Sequence, residues 1–320
     1  MSESTPMVRL VEEYLDYRRR LGYQLRTEGQ MLLEFARYAD RSGHCGPLTT
    51  ELAAHWARLP VEAAPLYQAR RLEVVRCFAR HRAIFDPATE IPPEGLMGSA
   101  HRRTAPHIYS KAELSALLAA ARRLPSTTGL RPRTYTTLFG LISCTGLRIS
   151  EALKLSRGDV DWGHGTLMIR ESKFHKSRLV PLHPSVVQAV REYAQLRDLR
   201  HPIAQTEAFF VSDRGTMLAY STVRQTFRKL CKDLRATIAP GTRRPRIHDL
   251  RHTFAVHCLV RWYRRGDDLA AKLPVLATYP GHQGLDGTQR YLRLTAEIFP
   301  ELTARLQGRF GDLIPGGDLP

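Results

Sequence analysis

The segment RIHDLRHTFAVH, Arg246 to His257, sets three histidines, an aspartate and an arginine on what its pattern predicts to be one helix. Two chemistries fit it. His248 and His252 stand four residues apart, on consecutive turns, as the metal-holding histidines of an H-E-x-x-H helix do. His248 and Arg251 stand three apart and share a face as well, and an imidazole beside a guanidinium is a phosphate-handling pair. Other candidates are scattered along the chain. Arg148 opens a helix just after a turn at Thr145-Gly146, with Glu151 one turn on, where its carboxylate can orient the guanidinium. Lys173 sits where a strand enters a hairpin, with Lys176 close enough to compete for its role. His282 follows a glycine, and Tyr291 comes nine residues later on a short helix that Asp286 or Thr288 can cap. Taken singly, these are a salt-bridged cap, a hairpin lysine, a turn histidine and a core tyrosine. Their joint occurrence carries the information.

The bulk composition bounds the partner. The chain has 320 residues, 43% hydrophobic and 25% charged, which is ordinary for a globular protein with room for two cores. Its charge is not ordinary: 48 Lys and Arg against 31 Asp and Glu leave +17, an excess that attracts a polyanion, with nucleic acid as the default. No run of 18 apolar residues occurs, and MSESTPMVRL lacks the basic-then-apolar plan of an export signal, so the expected location is the cytoplasm. Five scattered cysteines, Cys45, Cys77, Cys144, Cys231 and Cys258, never in C-x-x-C spacing, argue against disulfides and thiolate zinc and read as buried small hydrophobes.

The elements that must position the candidates follow from periodicity. Helical patterns fill the chain to about residue 90: MVRLVEEYLDYRRRLGY with Val8, Val11, Leu15 and Leu21 near a helical period, QMLLEFARYADRSG ending at Gly43, and TTELAAHWARL behind a threonine cap. The proline- and glycine-rich run Asp86–Pro106 contains the expected linker, residues 91–106. A second domain over residues 107–320 opens with Ser110 and Glu113 in capping-box spacing. In it an apolar helix, a glycine turn and a second helix beginning near Arg148 precede GTLMIRESKFHKSRLVPLH, read as two strands joined around Phe174-His175. Helices are expected at about Pro184–Leu199 and Ser221–Arg235, over the opening segment, and in short pieces to Leu306. The fold class is mainly α with a small β-sheet.

The pieces TGLRISEALKL, SKFHKSRLVPL, HDLRHTFA and GHQGLDGTQRY, in this order within about Tyr109 to Leu306, resemble the tyrosine recombinases, or phage integrase family. The helical segment before the linker fits that family's core-binding domain, in a two-domain form expected to lack an arm-binding domain before Met7. The resemblance implies a site-specific DNA recombinase or integrase, of the kind found on mobile elements. It assigns Arg148, Lys173, His248, Arg251 and His282 as the phosphate-activating set and Tyr291 as nucleophile. Similar proteins carry an aliphatic residue where this chain has Pro280, which ends the preceding helix early and bears on His282.

The implied chemistry is physically coherent. A tyrosine with a solution pKa of about 10 attacks a phosphodiester only if the developing charge is stabilised. Arg148 and Arg251 donate to the non-bridging oxygens, joined in the transition state by His282; Lys173 protonates the departing 5′ oxygen and His248 relays the tyrosine proton. The link to Tyr291 is a 3′-phosphotyrosine, strand exchange passes through a Holliday junction, and no cofactor and no metal is expected. The implied partners are double-stranded DNA recombination sites and a homotetramer on paired sites, with sister recombinases as possible companions; no membrane partner is expected. The tail stripe Ile298, Leu302 and Leu306 either docks on a neighbouring protomer or packs on its own domain. A type IB topoisomerase-like nicking and resealing enzyme shares the chemistry, and a catalytically idle DNA-binding regulator shares the fold. The metal reading lacks the glutamate that an H-E-x-x-H helix has at position 249, where this chain has aspartate. DNA cleavage is therefore expected to proceed unchanged in excess EDTA; loss of cleavage that zinc restores would return His248 and His252 to metal chemistry.

Overall fold

The computed structural model describes residues 5–100, 105–170, 177–233 and 244–278. The chain divides into two compact units, Met1–Thr104 and Ala105–Pro320. Among the described residues it is mainly helical with one three-stranded antiparallel sheet.

The first unit packs four helices, α1 (Met7–Arg20), α2 (Arg26–Arg41), α3 (Thr50–Arg58) and α4 (Pro65–Arg82), around Val11, Leu15, Leu32, Phe35, Trp56 and Phe78. Leu21, which continues the apolar period of α1, lies beyond the helix end and is exposed. Caps come from within and from afar. The Thr49 hydroxyl accepts the Leu52 N–H at the start of α3, whereas α1 has no local cap and relies on Asp40 of α2, which accepts the N–H groups of Met7 and Val8. Arg71 is buried by laying its guanidinium over the Trp56 ring, 3.6 Å from the centroid, and donating to the Trp56 carbonyl. The run from Glu90 to Glu94 does not behave as a free tether: Arg76 donates to the Pro92 carbonyl and pairs with Glu94, and Glu90 exchanges hydrogen bonds with Leu48 and Thr50. Prolines here remove donors without removing acceptors, so a loop poor in periodicity is still fastened.

In the second unit, α5 (Lys111–Arg122) begins with the Ser110–Glu113 capping box read from the sequence. The apolar helix α6 (Leu130–Thr145) runs through the core, in contact with α5, α8 (Pro184–Arg200) and α10 (Ile247–Arg264). Its N-terminus is fixed by Asp213, which accepts the Arg131 N–H and the hydroxyls of Ser126 and Thr128. After α6 come α7 (Ile149–Lys154), a 3-10 turn (Arg157–Asp159) and the strands β1 (Val160–Asp161), β2 (Thr166–Ile169) and β3 (Arg178–Pro181) in sheet order β1-β2-β3. The two expected strands are β2 and β3, in register from Thr166↔Pro181 to Ile169↔Arg178; β1 is a two-residue addition too short to show a period. The expected helices at Pro184 and Ser221 are α8 and α9 (Tyr220–Asp233), and the segment RIHDLRHTFAVH supplies the N-cap and first part of α10; α11 (Leu269–Thr278) follows. The cysteine expectation is corrected: Cys231 is buried and Cys258 half-buried, but Cys45, Cys77 and Cys144 are exposed, because they lie beyond a helix end, on an outer helix face and in a last turn.

α6 ends at Gly146, which adopts φ +65° and returns its N–H to the Ile142 carbonyl. A Cβ at this position would stand 2.6 Å from Cδ1 of Phe254 on α10, so the residue serves both the left-handed turn and the close approach of the two helices. Gly146→Ala is expected to destabilise the protein by about 2–4 kcal/mol, combining backbone strain with overpacking, as read by thermal or denaturant unfolding. An unchanged midpoint would show that Phe254 yields freely.

Candidate active site

The glycine turn brings two arginines from distant segments to one place. Arg148 is the N-cap of α7, two residues after Gly146. Its backbone N–H donates to Oε2 of Glu151 at 2.9 Å and its guanidinium Nη1 to Oε1 at 2.7 Å, so Glu151 orients the guanidinium as its spacing suggested. Arg251 is 2% exposed and donates from Nη1 to the Gly146 carbonyl at 2.7 Å. That hydrogen bond uses one of the five N–H donors of a guanidinium and pins α10 to the end of α6.

Glu151 has a second arginine. Arg178, the first residue of β3, forks onto it with Nη1 at 3.2 Å from Oε1 and Nη2 at 2.9 Å from Oε2. The Glu151 side chain is only 5% exposed. Burial alone would raise its pKa, but the hydrogen bonds from Arg178 and from the Arg148 backbone, with the charge of Arg178 and the hydrogen bond from the Arg148 guanidinium, outweigh it and hold the carboxyl below its usual range. It is therefore an ionised hub joining two cations.

α10 opens with the same device. Asp249, buried, accepts the N–H of Arg246 at 2.8 Å and its guanidinium at 3.3 Å. This engagement makes Asp249 a cap. One turn before Arg251, His248 reaches the surface. Desolvation by the surrounding protein, followed by the positive charge of Arg251, pushes its imidazole down to about 4. At neutral pH His248 is therefore an uncharged proton acceptor. His252 is buried and meets His248 edge to face, ring centroids 4.7 Å apart. His257 is half-buried and near the Tyr109 backbone, with burial first and then Lys111 lowering its pKa. Thr253 ties the helix to the start of the unit, accepting the Tyr109 N–H at 2.9 Å while donating to the Asp249 carbonyl.

Of the six residues singled out in the sequence, Arg148 and Arg251 thus come to the Gly146 turn, and His248 lies one turn from Arg251 on α10. Lys173, His282 and Tyr291 lie outside the described residues, as do Lys176, Pro280 and the tail stripe Ile298, Leu302 and Leu306. Among the described residues no three His, Cys, Asp or Glu side chains are grouped to hold a metal ion. Arg178 was missed in the sequence. Its signal is parity: β3 buries Val180 and exposes Leu179, so Arg178 points with Val180 toward the interior, where a charge requires a carboxylate.

Comparison with known proteins identifies the family. Residues 108–297 match the phage integrase family. The chain is 41% identical over 307 residues, 94% of its length and 97% of the relative's, to a putative integrase/recombinase, y4rB, of Sinorhizobium fredii. It is 30% identical over 233 residues to the tyrosine recombinase XerC of Chlamydia caviae, covering 72% of this chain and 68% of that protein. In fold it resembles lambda integrase, solved as a tetramer bound to a Holliday junction, with TM-score 0.63 and 17% identity over 91% of this chain and 78% of that one. The chain belongs to the phage integrase family of tyrosine recombinases.

Proposed function

We propose that this recombinase cleaves and rejoins DNA through a 3′-phosphotyrosyl link to Tyr291, with Arg148, His248 and Arg251 as the groups that receive the scissile phosphate. The observation that carries the reading is the pair of arginines held on either side of one glycine turn, Arg148 by Glu151 and Arg251 by the Gly146 carbonyl. Guanidinium groups fixed before the reaction stabilise charge as it develops on the non-bridging oxygens without reorganising at that moment. A neutral His248 one turn from Arg251 supports a proton relay from the attacking tyrosine, since an imidazolium could not accept the proton. Lys173 is assigned protonation of the 5′ leaving oxygen and His282 a donor role on the phosphate, both from the motifs alone. The reading requires neither cofactor nor metal ion.

The substrate is double-stranded DNA at paired sites, consistent with the net charge of +17. By analogy with the lambda integrase tetramer on a Holliday junction, we infer a homotetramer on two sites, alone or with sister recombinases. Identity to recombinases favours strand exchange over nicking and resealing. Among the described residues no helix is long and apolar enough to cross a membrane, and the reading places the protein in the cytoplasm, at the nucleoid.

Tyr291→Phe keeps the ring and removes the hydroxyl. It should bind DNA normally and trap no covalent adduct on a suicide substrate, whereas an adduct in this variant would assign the nucleophile elsewhere. His248 provides a pH signature. With its pKa depressed from an ordinary value of 6.5 to about 4, the folded protein resists protonation that the unfolded chain accepts. Stability is thus full above about pH 6.5 and falls toward pH 4. His248→Gln should flatten that part of the stability profile, and the His248 ring, followed by NMR, should titrate well below 6.5. A normal titration would show that burial and Arg251 do not depress this imidazole.

A further inference from the structure

The strands around the 170–178 arc are fastened at both feet. Ile169 and Arg178 are ladder partners at the open end of β2 and β3. On the β2 side, Arg170 donates from Nε to Oδ1 of Asp159 at 2.6 Å, and Asp159, 4% exposed, also accepts the Ser156 N–H at the 3-10 turn. On the β3 side, Arg178 forks onto Glu151, which starts α7 and holds Arg148. Each foot is therefore tied to a nearly enclosed carboxylate that also begins a helical turn in the segment just after Arg148.

The Glu151 foot has a particular stoichiometry. A carboxylate offers about four lone-pair sites. Glu151 accepts four hydrogen bonds, from the Arg148 backbone, the Arg148 guanidinium and both Nη atoms of Arg178. Its plane is set by the Arg178 fork, and the direction in which it pulls Arg148 is set by that plane. Without the fork the carboxylate could rotate in a site built for four donors, and Arg148 would follow it.

We propose that Arg178 is a positioning residue for Arg148: through Glu151 it holds the phosphate-gripping guanidinium in its reactive orientation and in register with the β2–β3 hairpin. The proposal rests on the assignment of Arg148 to the scissile phosphate. Arg178 acts through the carboxylate that it holds. A displacement of the order of an ångström in such a group lowers reaction rates by roughly 100-fold, so Arg178→Gln should slow single-turnover cleavage by about 10- to 100-fold with little change in DNA affinity.

The discriminating probe is a DNA whose scissile phosphate is a methylphosphonate. It has lost one non-bridging anionic oxygen and needs less help from Arg148. For the full-length protein, the Arg178→Gln defect should shrink to a few-fold on methylphosphonate DNA, as should that of Arg148→Ala. The double variant should cleave ordinary DNA no more slowly than Arg148→Ala. Arg178→Lys, which keeps the charge but cannot fork, should show the same phosphate-selective loss at smaller size and covers the case in which the glutamine variant fails to fold. An equal loss on both DNAs, additive losses in the double variant, or undiminished cleavage by Arg178→Lys would each overturn the proposal. A wild-type rate for Arg148→Ala would instead overturn the assignment of Arg148, a distinguishable failure.

Discussion

The Arg148 side of the described site leans on one buried carboxylate. Glu151 caps α7, holds the Arg148 guanidinium and receives a second from the sheet, so helix, turn and strand meet at two oxygen atoms. Such a cluster is expensive to assemble, since three charges leave water. It is tolerable because Glu151 accepts four hydrogen bonds, about as many as a carboxylate has lone-pair sites. Breaking a buried pair by removing one member costs about 3–5 kcal/mol, so the cluster resists drift in a way that a packed apolar contact would not.

The same economy recurs in the second unit. Asp249 at the start of α10, Asp159 at the 3-10 turn and Glu113 at α5 each accept the backbone N–H three residues earlier, and the first two add an arginine. Asp213 does comparable work for α6 from a distant loop. A chain this rich in arginine could be expected to keep its cations on solvated faces. Here several are anchored to helix-capping acids, and this converts flexible side chains into fixed donors without leaving the acids uncompensated.

What was legible in the sequence is what short-range pattern encodes. The apolar run of α6, the glycine that ends it, the Ser110 capping box and the period-two strands are all decided within a few residues, and each stands where the pattern put it. The pairing of Arg148 with Glu151 was legible for the same reason, being three residues apart on one helical turn. The link from Arg251 to the Gly146 carbonyl was not, because 105 residues separate the partners and no local rule names a carbonyl. Arg178 was not legible because its carboxylate partner lies 27 residues away, on another element. The proline-rich run after α4 looked unattached because its fastening comes from Arg76, on a helix whose pattern says nothing of where that side chain ends. Exposed Cys77 and Cys144 show the opposite error, a residue type taken as a location.

The distance along the chain between Gly146 and Arg251 also has a meaning in time. During synthesis α6 and α7 emerge long before α10, and domains tend to consolidate from the N-terminus as they appear. The Gly146 carbonyl and the Tyr109 N–H must then wait for Arg251 and Thr253. A nascent chain, or one broken off ahead of α10, therefore has Arg148 without its companion. A recombinase of this family is in this way without its paired arginines until α10 has been made.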